Sequence, residues 1–185
     1  MTHAELITQL IDTFDKTKVN KLTEILKKQE FSIRDLIDLT FHANKTIAFR
    51  AAWLLEKLLL INPILYLPEL DYLLSRFKDV KYPGCQRHYA KFIMHLTSSK
   101  AHQTIIEKLQ ATDLEFVVEQ CFDWMIDPKE LIAVKVFAAE ALFNLNTRYP
   151  WIAEELANQL IFLMNNGSAA IQSKGKKLLD ALHKA

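Results

Sequence analysis

The residues of this chain with the clearest chemical potential are cations that lie beside a tryptophan. Arg50, Trp53 and Lys57 are spaced by three and four residues, so a helix would place them on one side. A large aromatic ring next to two positive charges is a frequent composition of binding surfaces. The pattern therefore predicts a surface that binds an anionic partner. The alternative is that Trp53 packs against a neighbouring structural unit.

Motifs for catalysis and for cofactor binding are absent from the sequence. Gly84, Gly167 and Gly175 are far apart, whereas dinucleotide and phosphate loops need clustered glycines. Cys85 and Cys121 belong to no C-x-x-C pair, and neither a G-x-S-x-G nor an H-E-x-x-H motif occurs. We therefore expect no catalytic residues, no cofactor and no metal ion.

Three histidines recur every seven residues, at His88, His95 and His102. The first two would share a helix face but stand two turns apart, and helical metal sites prefer an i, i+4 spacing. Ser98 and Ser99 should end that helix before His102. The histidines are therefore predicted to be surface or helix-capping residues.

Length and composition predict a single globular domain over residues 1–185. Half of the residues (50%) are hydrophobic and 24% are charged, which suffices for a core without disulfides. The formal net charge of +1 argues against strong non-specific binding of polyanions. The first residues lack a basic region and a long apolar run, so we expect no signal peptide and a cytoplasmic location.

Hydrophobic residues recur with a helical period along nearly the whole chain, and no segment has the alternation of a strand. The pattern predicts an all-α fold of ten to eleven helices. Thr2-x-x-Glu5 and Thr112-x-x-Glu115 match the capping box that opens helices. Glycine and proline are scarce, as expected for helices joined by short turns.

An internal repeat relates distant parts of the chain. Residues 51–63, which begin AAWLLEKL, align without a gap with residues 138–150, which begin AAEALFNL, at an offset of 87 residues. A third copy surrounds Ala90, and a fourth occupies residues 172–182. Spacings of about 36 to 49 residues are typical of helix pairs that stack into a superhelix.

Residues 134–145, VKVFAAEALFNL, resemble the second helix of a HEAT repeat. The family pattern is a Val, then Arg or Lys, then Ala-Ala-Glu-Ala-Leu, with Gly usual where Phe143 stands. Asp127-Pro128 resembles the preceding turn and should open this helix, with two or three extra residues before Val134. Residues 49–52 and the stretch around Arg87 are looser matches.

The resemblance covers roughly residues 32–185 and implies a HEAT-like, armadillo-type α-α superhelix of about four helix pairs. Residues 1–31 fit only as degenerate N-terminal capping helices. Second helices line the concave face of such superhelices, which offers an extended binding surface. The family pattern is specific for the fold and says little about function.

Charge is distributed unevenly within the predicted helix pairs. The four second-helix segments, residues 45–61, 85–100, 129–148 and 168–185, hold 13 Lys or Arg against 4 Asp or Glu. A basic concave face is therefore predicted. Its candidate binding residues are Arg50, Trp53, Lys57, Arg87, Lys91, Lys135 and Lys174. The alternative is that these cations form ion pairs with carboxylates of neighbouring repeats.

The favoured function is a non-catalytic scaffold or adaptor that binds a protein or an acidic peptide on this face. An alternative is nucleic-acid binding, including the chemistry of HEAT-like DNA glycosylases, although the chain matches none of their motifs residue by residue. An all-helical lyase of the adenylosuccinate lyase type is least favoured, because its Gly-Ser-Ser-x-Met-Pro loop is absent. The sequence identifies neither the partner nor the oligomeric state.

Overall fold

The computed structural model describes residues 1–12, 15–28 and 30–184, and this part of the chain contains α-helices and 3₁₀ helices but no strand. The α-helices are α1 (His3–Ile11), α2 (Lys16–Leu26), α3 (Ile33–Leu39), α4 (Lys45–Ile61), α5 (Leu70–Ser75), α6 (Pro83–Leu96), α7 (Gln103–Gln110), α8 (Glu115–Ile126), α9 (Ile132–Leu145), α10 (Trp151–Met164) and α11 (Ala169–Leu182). The 3₁₀ helices are Pro63–Glu69 and Phe77–Asp79. The predicted all-α fold and its number of helices are confirmed. Phe14, which the helical period assigns to the apolar stripe of the first helix, lies outside the described residues.

The chain divides into two compact units, residues 1–89 and residues 90–185, and the boundary falls within α6. In the first unit, α1, α2 and α3 all pack against α4. In the second unit, α8, α10 and α11 all pack against α9. The central helix of each unit carries buried alanines at the positions that the internal repeat relates, and these are Ala51, Ala52, Ala138 and Ala139. Small side chains on α4 and α9 leave room for the large residues of the helices packed around them.

Helix α1 begins with the predicted capping box. The Thr2 hydroxyl accepts a hydrogen bond from the Glu5 backbone N–H (3.3 Å), and the Glu5 carboxylate accepts one from the Thr2 N–H (2.8 Å). Two orphan donors of the first turn are thereby satisfied, which stabilises the helix end.

Two other predicted helix starts are wrong. Helix α8 has no side-chain cap, because Thr112 lies just behind α7 and its hydroxyl donates instead to the Lys108 carbonyl (2.9 Å). Helix α9 starts at Ile132 rather than at Asp127-Pro128. The Asp127 carboxylate accepts from the Lys129 N–H (2.8 Å), so these residues form a turn between the two helices.

The described residues contain no single helix that is long and apolar enough to cross a bilayer. Helix α4 and residues 63–75 reach that length only as a pair, and the pair is bent by 116°.

Candidate binding surface

Two aromatic side chains and one cation of α4, together with one cation of α6, are partly exposed in the first unit. Phe49, Trp53 and Lys57 follow one another at four-residue spacing along α4, and Arg87 lies on α6. We refer to these four residues as the α4–α6 surface. Phe49 is 36% exposed, and its ring centroid lies 6.0 Å from that of Trp53, which is half-buried. Within the described part of the chain, Lys57 and Arg87 make no hydrogen bond or ion pair, so both positive charges are available to a partner.

Close packing of α6 against α4 holds the Phe49 ring in place. A Cβ atom at Gly84 would lie 2.8 Å from the Phe49 ring, so the ring occupies space that a larger residue would fill. The His88 ring centroid is 5.3 Å from that of Phe49 on the next turn of α6. Gly84 and His88 therefore set how far the Phe49 ring turns inward, and the outer part of the ring stays exposed.

A buried hydrogen bond joins the same two helices. His88 Nδ1 lies 2.5 Å from Glu56 Oε2, and the two side chains are only 1% and 6% exposed. His88 Nε2 is buried and has no hydrogen-bond partner among the described residues. The prediction of a surface or capping histidine is therefore wrong for His88, because Glu56 supplies a buried partner. It is confirmed for His102, whose Nδ1 accepts from the Thr104 N–H at the start of α7 (3.3 Å).

Arg50 caps the end of α1. Its Nη1 donates to the carbonyl oxygens of Leu10 (2.9 Å) and Ile11 (2.7 Å). Arg148 repeats this arrangement in the second unit, where its two terminal nitrogens donate to the carbonyl oxygens of Leu109 (2.6 Å) and Thr112 (2.7 Å) at the end of α7. A guanidinium group is well suited to this role, since it satisfies orphan carbonyls at the negative end of the helix dipole. The Arg50 side chain is therefore committed to stabilising the fold.

The three candidate residues of the second unit also have intramolecular partners. Lys91 Nζ lies 5.9 Å from the Phe137 ring centroid. Lys135 is 8% exposed and donates to the Met125 carbonyl at the end of α8 (2.9 Å). Lys174 forms an ion pair with Glu140 (2.7 Å), as expected if repeat cations pair with carboxylates of a neighbouring repeat. Of the seven candidates, Trp53, Lys57 and Arg87 are thus partly exposed, and the two cations among them have no intramolecular partner among the described residues.

Lys135 should make the stability of the protein depend on pH. Burial lowers the pKa of its ammonium group below the ordinary value of 10.5, so the unfolded chain binds more protons between the two pKa values. Stability therefore rises with pH across that interval. Relative to a Lys135→Met variant, the unfolding free energy of the wild-type protein should increase as pH approaches 10.5. Urea titrations of both proteins from neutral to alkaline pH measure this difference, and a constant or falling difference would contradict the expectation.

The thiols do not supply a nucleophile at neutral pH. Cys85 and Cys121 are both buried, and burial raises the pKa of Cys85 to about 12 and that of Cys121 further above its ordinary value. The described residues also contain no group of three or more His, Cys, Asp or Glu side chains that could hold a metal ion.

Sequence reasoning missed Phe49 as a surface residue and Gly84 as its neighbour. Phe49 matches the family pattern only loosely, and a lone glycine such as Gly84 near the start of a helix indicates a turn. The close approach of α6 to α4 involves residues 35 positions apart, so no local pattern predicts it.

Comparison with known proteins supports the repeat architecture. A family model described as HEAT repeat domain matches residues 6–182. The match includes residues 6–31, which the sequence pattern assigned to degenerate capping helices. Neither the curated proteins nor the solved structures yield a match to the chain.

Proposed function

Because the chain belongs to the HEAT repeat domain family, we propose that it is a non-catalytic scaffold that binds an acidic segment of another protein on its α4–α6 surface. Repeats of this kind present extended surfaces and commonly mediate protein interactions. The observation that carries the proposal is a pair of unpaired cations on these two helices: Lys57 lies on α4 with the Phe49–Trp53 pair, and Arg87 lies on α6, whose Gly84 and His88 contact Phe49.

The chemistry of this surface favours a ligand with carboxylates and apolar side chains. Tryptophan and arginine are over-represented among residues that dominate binding energy, and an aromatic ring supplies contact area at low cost in conformational entropy. Unpaired cations attract carboxylates and raise the association rate. Arg50, Lys135 and Lys174 contribute little to such recognition, because each is held by an intramolecular partner.

Selection of peptides from a phage-displayed library on the wild-type protein tests the proposal. The selected peptides should be enriched in Asp and Glu. Trp53→Ala and Arg87→Ala should each weaken their binding by about 2 kcal/mol, about thirtyfold, because both residues would contact the peptide. Fluorescence anisotropy with a labelled selected peptide measures the dissociation constants.

Matched control variants separate this surface from general effects. Trp151→Ala removes another partly exposed tryptophan (49%), and Lys177→Ala removes another exposed cation, both in the second unit. Both should leave peptide affinity unchanged. Neutral selected peptides, or equal losses in the control variants, would overturn the proposal. A titration of duplex DNA with a log–log salt slope of about −0.9 per phosphate contact would instead favour nucleic-acid binding.

A further inference from the structure

A pocket of about 370 Å³ lies in the first unit, where the turn between α3 and α4 meets the segment that precedes α6. Its lining residues are Thr40, Phe41, Arg76, Asp79, Lys81 and Tyr82. The volume falls within the range of about 300–1,000 Å³ that is usual for small-molecule sites. None of the lining residues belongs to the α4–α6 surface.

Arg76 is held rigidly in the wall of this pocket. Its guanidinium carbon lies 4.1 Å from the Phe41 ring centroid, and its Nε donates to Asp79 Oδ2 (2.8 Å). Its Nη1 donates to the Tyr72 hydroxyl (2.9 Å) and lies 3.4 Å from Asp38 Oδ1. Nη2 makes no hydrogen bond within the described part of the chain. The fork geometry of a guanidinium then leaves two fixed N–H donors for an incoming acceptor.

Two further cations border the pocket. Lys81 is exposed and makes no hydrogen bond or ion pair with any described residue. Lys45 Nζ lies 5.6 Å from the Tyr82 ring centroid and likewise has no carboxylate partner among the described residues. The Asp79 carboxylate is already paired with Arg76, so it does not neutralise Lys81. The three cations at the pocket, Lys45, Arg76 and Lys81, therefore exceed the two carboxylates paired with Arg76, Asp38 and Asp79, by one positive charge.

The aromatic walls of the pocket are also fixed by contacts. The Tyr82 hydroxyl donates to the Ala43 carbonyl (3.0 Å), which ties the segment before α6 to the turn after α3. The Phe41 and Tyr89 rings pack in a T-shaped arrangement, with ring centroids 6.0 Å apart. Two aromatic side chains thus flank the cations in a preformed cavity.

We propose that this pocket binds a small ligand that joins an aromatic ring to an oxyanion, either a carboxylate or a phosphate. The oxyanion accepts hydrogen bonds from Arg76 Nη2 and Lys81 Nζ, and the ring contacts Phe41 and Tyr82. Charge-assisted hydrogen bonds to an oxyanion are among the stronger polar contacts, and the fixed guanidinium loses little entropy on binding. The proposal stands apart from the peptide-binding function of the α4–α6 surface.

Titration of ¹⁵N-labelled protein with phenyl phosphate, phenylacetate and benzyl alcohol tests the pocket. Backbone amides of residues 40–43, 79–82 and 84 should shift and saturate with at least one of the two anions, and the tighter anion identifies the oxyanion. The neutral alcohol should bind about tenfold more weakly, and Lys81→Ala should weaken anion binding by about tenfold.

Lys78→Ala is the matched control, because it removes an exposed lysine three positions away that does not line the pocket. It should leave the dissociation constant within about twofold of the wild-type value. Shifts that never saturate, shifts spread over other lysines, or equal effects of the two variants would overturn the proposal. Trp53→Ala should retain anion binding, so failure of the pocket and failure of the α4–α6 surface give different results.

Discussion

Replacing Glu56 with alanine should lower the free energy of unfolding by about 3–5 kcal/mol. The substitution removes the partner of a buried histidine whose other ring nitrogen already lacks a hydrogen bond among the described residues. His88 would then have to stay buried with both nitrogens unsatisfied, or α6 would have to move to admit water. Urea denaturation followed by circular dichroism measures the loss.

Two further variants show whether loss of the Glu56–His88 contact itself causes this decrease in stability. Glu56→Leu combined with His88→Leu replaces both polar groups with apolar ones, and stability should return to within about 1–2 kcal/mol of the wild-type protein. Glu155→Ala removes an exposed carboxylate from α10 and should change stability by less than about 0.5 kcal/mol. A double variant as unstable as Glu56→Ala would show that helix packing, rather than the orphaned histidine, accounts for the effect.

The Glu56–His88 pair also connects stability with the proposed function. His88 contacts the Phe49 ring, and Phe49 supplies the exposed edge beside Trp53. Movement of His88 in the Glu56→Ala variant should therefore disturb the α4–α6 surface as well. Peptide affinity should fall in this variant and recover in Glu56→Gln, which keeps a hydrogen-bond acceptor at the same position.

The sequence predicts the helices well because their determinants are local. The alanine-rich stretches at Ala51 and Ala138 recur at a fixed offset, and both lie in the central helix of a unit. The cap at Thr2 is local, because its hydroxyl accepts a hydrogen bond from the backbone N–H of Glu5, only three residues later. The capping pattern fails at Thr112, where a carbonyl of the preceding helix competes for the same hydroxyl.

The candidate site is predicted less well because its determinants are distant in the chain. Arg50 and Lys57 have the same charge and lie three and four residues from Trp53, yet Arg50 reaches carbonyls that lie 40 and 39 residues earlier, and Lys57 does not. Gly175 lies inside α11, where no turn requires a glycine. A contact between helices explains it, because a Cβ atom there would lie 2.5 Å from the Met164 sulfur of α10. Contacts between helices determine which cations remain without an intramolecular partner. The hydrophobic periodicity of a single helix does not predict these contacts.

Substitution of Tyr89 should have the second large effect on stability. It also tests whether the core of the first unit supports the shape of the pocket. Tyr89→Ala should cost about 3–5 kcal/mol of unfolding free energy, because the ring is fully buried and its loss opens a cavity between Phe41 and Phe77. Tyr89→Phe should cost only about 1 kcal/mol. It removes one hydrogen bond to Thr40 (2.7 Å), and the Thr40 hydroxyl still donates to the Ile37 carbonyl.

Urea denaturation of both Tyr89 variants gives the stability, and phenyl phosphate titration gives the state of the pocket. Thr40 and Phe41 line the pocket and both contact Tyr89, so the alanine variant should lose ligand affinity while the phenylalanine variant retains it. Equal losses of stability in the two variants would assign the role of Tyr89 to its hydroxyl rather than to its ring. Retained affinity in a destabilised Tyr89→Ala protein would show that the Arg76 stack on Phe41 shapes the pocket without support from the core.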